Sequence, residues 1–195
     1  MKFKIKDFEK KLGQKLKQSF TSIGWDTAEV MGIGIVITDD EYIYIDWELI
    51  EFDKSDIDNV YRQLCEKSAT LCKGKIDICV IEDTYLAFFG KFAQADVFKK
   101  LTRFGGIILA NTINNKIEFK IIGAKSARSK LFKMDTKKYK GKSKEAVKDY
   151  LTSIGIEIDE DNCADGILLA LLGIIEGMSF LPKTVKKTKK RRKRK

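Results

Sequence analysis

A chain of 195 residues with an apolar fraction of 44% can bury one core, and its most apolar run, 166–175, falls far short of the roughly 20 residues that cross a bilayer. The sequence holds no histidine, which excludes Ser-His and Cys-His nucleophilic schemes and a histidine base; with four cysteines and no CxxC pair it also offers no zinc site. Any hydrolytic chemistry must rest on carboxylates, lysines and metal ions, and the net charge of +10 points toward polyanionic partners.

In chain order, 2–18 reads as a short basic segment with helical tendency, weakened by Gly13. Its lysine density is unlike a signal peptide, so an intracellular chain is expected. Residues 19–25 form a candidate strand ending at Asp26, and 31–38 and 42–47 read as a hairpin across an Asp-Asp-Glu turn. Apolar residues at helical spacing predict a helix over 56–73, opened by Ser55 as N-cap. A short buried strand over 76–81 ends at Glu82. A helix over 93–109, a strand over 116–122 and a lysine-rich loop over 125–142 follow. Two further helices are expected at 144–154 and 162–176, the second strongly apolar. The pattern is α/β with a mixed sheet.

The charge is unevenly placed. The stretch 183–195 carries seven lysines, three arginines and no acid. Without those ten, the 38 basic residues fall to 28 and match the 28 acids, so the body is formally neutral. A polycationic tail over 182–195 is expected to be disordered and to bind phosphate backbones without reading sequence. The four cysteines are expected to be reduced thiols, mostly buried.

Asp26 and Glu82 fall at the carboxyl ends of predicted strands, where α/β sheets place ligands. Asp165 falls in the first turn of the last predicted helix, with Asp161 and Asn162 one turn before it on the same side. Oxygen ligands converging in this way suit Mg²⁺ or Mn²⁺. A pair of such ions about 4 Å apart can drive phosphodiester cleavage.

Four segments add to this. SIGWDTAEVMGIGIVITDD resembles the first strand, catalytic aspartate and glycine-bearing second strand of RuvC-type Holliday junction resolvases. CVIEDTYLAFFGKFAQADVFKKLTRFGGIILA resembles that family's glutamate strand, the aromatic three residues later, its long helix and a Gly-rich exit. GKSKEAVKDYLTSIGI resembles the lysine-bearing helix start, and DNCADGILLALLG the final acidic helix. Their order agrees across 20–175.

The resemblance implies an RNase H-like fold, a mixed five-stranded sheet flanked by helices, over 20–181. Residues 1–19 would be a basic extension. It also implies a two-metal endonuclease that resolves four-way junctions by paired symmetric nicks. Asp26, Glu82 and Asp165 would hold Mg²⁺, with Mn²⁺ also active, and Asp26 would bridge the two ions. Family members carry an acid or histidine three residues before the last aspartate; Asn162 stands there, leaving Asn162 or Asp161 as the fourth ligand. The usual Asp-Pro-Gly is replaced by Asp26-Thr27-Ala28. Lys144 would approach the scissile phosphate, and Tyr85 would stack on an unpaired base. Arg128, Lys130, Lys140 and Lys142 would add basic DNA contacts. A homodimer built on the helix after Glu82 follows, with branched DNA as partner and neither a membrane nor a small-molecule cofactor. Other readings are a nuclease of this fold for flaps, forks or RNA–DNA hybrids, and a non-catalytic DNA-binding architectural protein.

Overall fold

The computed structural model describes residues 1–52, 56–83, 95–132 and 138–177. Ser55, Tyr85 and the tail lie outside them. The first strand, β1 (Lys2–Lys4), leads directly into helix α1 (Ile5–Leu12). Three antiparallel strands follow: β2 (Phe20–Asp26), β3 (Val30–Thr38) and β4 (Tyr42–Glu51). Helix α2 (Ile57–Cys72) leads to β5 (Ile78–Glu82), and α3 (Ala95–Asn114) leads to β6 (Glu118–Ile122). Helices α4 (Ala124–Leu131), α5 (Ser143–Ser153) and α6 (Asp161–Glu176) close the chain. The strands form one mixed sheet in the order β1-β4-β3-β2-β5-β6, with β2-β5 and β5-β6 parallel.

The α/β reading and mixed sheet are as expected, but the sheet has six strands. The extra one, β1, comes from the basic segment and pairs antiparallel with β4. That segment is built into the body: Ile5, Phe8, Leu12 and Leu16 are buried in the core, while its lysines face outward. Gly13 ends α1 instead of weakening it. Its φ of 70° is the left-handed cap conformation, and its N–H donates to the Glu9 carbonyl.

Further on, Asp56 caps α2 by accepting from the Asp58 N–H. Helix α3 runs on to Asn114, five residues beyond the predicted end, because Gly105 and Gly106 lie inside it and not at its exit. The expected loop over 125–142 contains α4, whose buried Ala127 and Leu131 stand one turn apart. Three of the four cysteines are buried, all four are free, and burial pushes the Cys79 thiol up to about 12. Among the described residues no helix is long and apolar enough to cross a membrane.

Alternation along β2 and β3 sorts two cores onto the two sheet faces. Ile23, Trp25, Met31 and Ile33 pack with α2 and α3, through residues such as Leu64 and Phe104. The other face carries Ser22, Gly24, Gly32, Gly34 and Val36 and receives α6, buried almost all round from Cys163 to Ile174. The glycines set the distance. A Cβ on Gly24 would overlap the Gly166 carbonyl, one on Gly32 the backbone of Asn162, and one on Gly34 the backbone of Ile167. From the helix side, Gly166 meets Gly32 and Gly34, and Gly173 meets Ser22. Helix and sheet therefore touch backbone to backbone.

The same substitution should act oppositely at two glycines. Gly34→Ala must push α6 off β3 and should cost about 2–4 kcal/mol. Gly106→Ala, with nothing near its added methyl, should gain about 0.4–1 kcal/mol. Thermal unfolding of both variants checks this; an unchanged melting temperature for Gly34→Ala would contradict the packing argument.

Candidate active site

Asp26 and Glu82 are the last residues of neighbouring parallel strands, so the sheet itself sets them side by side. The register pairs Trp25 with Ile81, one residue earlier on each strand. Beyond Asp26 the chain turns sharply, with the Ala28 N–H donating to the Asp26 carbonyl. The Thr27 hydroxyl then donates to the Glu82 carbonyl at 3.2 Å, tying the two strand ends together.

Asp165 comes from α6. It is the fifth residue of that helix, one turn past the first. Gly32 is paired with Asp26 on β3 and also meets the start of α6, so that helix is held against the end of β2. Asp26, Glu82, Asp165, Asn162 and Lys144 all line one cleft of about 840 Å³, as does Arg128. Thr27, Asp83, Leu101, Gly123 and Lys125 complete much of its wall.

The electrostatics are unusual. Asp26 and Asp165 are each only 5% exposed. Burial raises the Asp26 carboxyl far above its ordinary range, and its hydrogen bond with Glu82 and the charges of Glu82 and Asp165 push it the same way. Lys144 opposes them weakly. Asp26 thus keeps a proton that it would release in water.

Two cations balance the remainder. Arg128 places Nη2 2.9 Å from both Oδ1 and Oδ2 of Asp165. Lys144, at the start of α5, donates to Asn162 Oδ1 at 2.6 Å. The Asn162 Nδ2 donates to the Val30 carbonyl at 2.8 Å, a bond that an aspartate could not make.

Asp161 is drawn elsewhere, onto Lys148 at 2.9 Å, so Asn162 and not Asp161 faces the cleft. Lys130, expected near the DNA, is paired with Glu176 at the far end of α6, 2.6 Å away. Lys142 reaches Glu145 on the surface at 3.1 Å, and Lys140 is exposed on the preceding turn. Neither lines the cleft. Lys125, Asp83 and Thr27 do; Thr27 and Asp83 directly follow the two strand-end acids, while Lys125 was hidden by the loop reading of α4.

Among the described residues no three acids or thiols form a ready-made metal-binding group. Asp165 is engaged by Arg128, and Asp26 by Glu82. The donors nonetheless fit a hard divalent cation. They are all oxygens, and two of the carboxylates, Asp26 and Asp165, are buried where a cation would offset the cost of ionising them.

No family model matches the sequence, and no curated protein matches it. Solved structures do. The chain has the RNase H-like fold, in the form found in Holliday junction resolvases. Thermus thermophilus RuvC in complex with a Holliday junction substrate superposes with a TM-score of 0.62 at 13% identity, covering 83% of this chain and 96% of that one. A second Thermus thermophilus RuvC structure gives 0.59 at 13% identity, over 82% and 96%. The yeast mitochondrial Holliday junction resolvase Ydc2 gives 0.54 at 13% identity, over 86% and 82%.

Asp26→Asn tests the charge argument without any substrate. The folded carboxyl sits above the ordinary 3.8, at about 10, so the folded state holds a proton that the unfolded chain releases between those values. Stability from this group is whole below the lower value and is lost as pH rises toward the upper one. Asparagine keeps a donor for Glu82 and cannot ionise. In EDTA the variant should match wild type near pH 4 and melt higher at pH 8, by about 1–2 kcal/mol or roughly 2–4 °C per kcal/mol. Thermal melts across pH check this; equal melting temperatures at pH 8 would contradict it.

Proposed function

We propose that the protein is a structure-selective DNA endonuclease that cuts four-way junctions by phosphodiester hydrolysis. The observation that carries this is the meeting of Asp26, Glu82 and Asp165 in one basic-rimmed cleft of a resolvase fold.

Asp26, Glu82 and Asp165, with Asn162 Oδ1, would hold Mg²⁺ or Mn²⁺. When bound, such ions supply the charge that makes water nucleophilic at neutral pH and neutralises charge developing on the phosphate. The rest falls to the chain's own groups. Asp26 would release its proton as positive charge enters the cleft. Exposed Lys144, steadied by Asn162, offers its ammonium to a phosphate oxygen. A water oxygen forms the new bond to phosphorus as the P–O3′ bond breaks. The product ends are a 5′-phosphate and a 3′-hydroxyl, with the water's proton passing to the leaving oxygen or to solvent.

Paired symmetric nicks need two such clefts related by a two-fold axis, so the active form is a homodimer. Val97 and Ile113 on α3, and Phe119 and Ile121 on the edge strand β6, are large apolar side chains left exposed. A second copy would cover part of that surface. The basic tail and the lysines of α1 would add salt-sensitive affinity for DNA without choosing the cleavage point.

Asp26→Asn and Lys144→Met separate chemistry from binding. Against a labelled four-way junction, Asp26→Asn should lower cleavage by at least about 10³-fold while gel-shift affinity is kept or improved. Lys144→Met should lower the cleavage rate by about 10²-fold. Full activity in Asp26→Asn would remove the catalytic reading, and loss of binding in parallel with cleavage would point to misfolding.

A further inference from the structure

Arg128 is a cation that the carboxylate cleft already owns. It projects from α4, a helix pinned by buried Ala127 and Leu131, and its side chain is 13% exposed against 8% for that of Asp165. The contact is forked on one nitrogen: Nη2 alone donates to both carboxylate oxygens. The stronger arrangement, two guanidinium nitrogens facing two oxygens side by side, is not used. The Nε–H is buried and has no hydrogen-bond partner among the described residues. A buried donor without an acceptor is costly, and Arg128 lines the cleft that would receive a phosphate.

Both oxygens of Asp165 are engaged by the guanidinium, and a divalent cation on the same carboxylate would stand beside a like charge. The two cannot share Asp165 favourably. We propose that Arg128 is the resident counter-ion of this cleft: it holds Asp165 until a divalent cation takes the carboxylate, and its freed guanidinium then turns to a non-bridging oxygen of the DNA phosphate. This rests on the metal-dependent reading above. The protein alone therefore binds divalent cations weakly, because each must displace an ion pair. DNA and metal help each other, since the phosphate accepts the guanidinium that the metal releases.

The test is titration of Mn²⁺ alone into the full chain, followed by the electron paramagnetic resonance of free Mn²⁺. Arg128→Met should bind Mn²⁺ about tenfold more tightly than wild type. It should also melt lower than wild type in EDTA, because Asp165 loses its partner. Lys130→Met, whose partner is Glu176, should leave Mn²⁺ affinity unchanged. If wild type binds Mn²⁺ and Arg128→Met binds it equally or less tightly, the counter-ion role is overturned while the metal reading stands. If neither binds Mn²⁺, the metal reading falls and this inference with it. Should Arg128→Met fail to fold, the wild-type chain answers directly: the Arg128 Nε–H resonance in a ¹⁵N spectrum should move on adding Mg²⁺. A resonance indifferent to Mg²⁺ overturns the proposal.

Discussion

Everything in this molecule hangs on how closely α6 approaches the sheet. Interdigitating side chains normally hold packed layers of secondary structure apart. Here Gly24, Gly32 and Gly34 on the strands, with Gly166 and Gly173 on the helix, remove the spacers, and peptide backbones meet. The cleft exists because of that contact. Asp26 stands on β2 beside Gly32 of β3, and the overlap that a Cβ on Gly32 would make is with Asn162, three residues before Asp165. A helix held off by ordinary side chains would leave Asp165 a few ångströms away, and the carboxylates of sheet and helix would face water separately.

That closeness has an electrostatic consequence. Three carboxylates drawn together in a largely buried space cannot all ionise unaided. The chain meets the problem in three ways: Asp26 keeps its proton, Arg128 sits on Asp165, and an uncharged amide, Asn162, stands three residues before Asp165. The amide at Asn162 adds no negative charge and donates to the Val30 carbonyl of β3, which anchors the start of α6 to the sheet. The result is a cleft whose charge is nearly balanced within the protein.

Much of this was legible in the sequence, for physical reasons. Strands β2 to β4 and β5 announced themselves through apolar runs bounded by turns, and Asp26 and Glu82 through their places at strand ends. The apolar run of α6 was equally plain. What stayed hidden depended on tertiary context. Helix α4 was masked because Lys125, Arg128 and Lys130 outweigh its single buried pair, Ala127 and Leu131, and so the partner of Arg128 was out of reach. Strand β1 is three residues long, and only its edge pairing with β4 makes it a strand. Gly105 and Gly106 look like a helix end, yet Phe104 and Ile108 are buried on either side and carry α3 through them. Asp161 and Asn162 could not be separated by spacing; the choice was made by Lys148, which takes Asp161, and Lys144, which takes Asn162.

We propose that the glycine-held meeting of sheet and helix builds a hydrolytic centre for branched DNA. Its most direct test is incubation of the full-length wild-type protein with a labelled, mobile four-way junction and with linear duplex of the same sequence, in Mg²⁺, Mn²⁺ or EDTA. Paired, symmetric nicks confined to the junction and present only with metal are expected. Equal cutting of junction and duplex, or binding of the junction with no cutting in either metal, would contradict it.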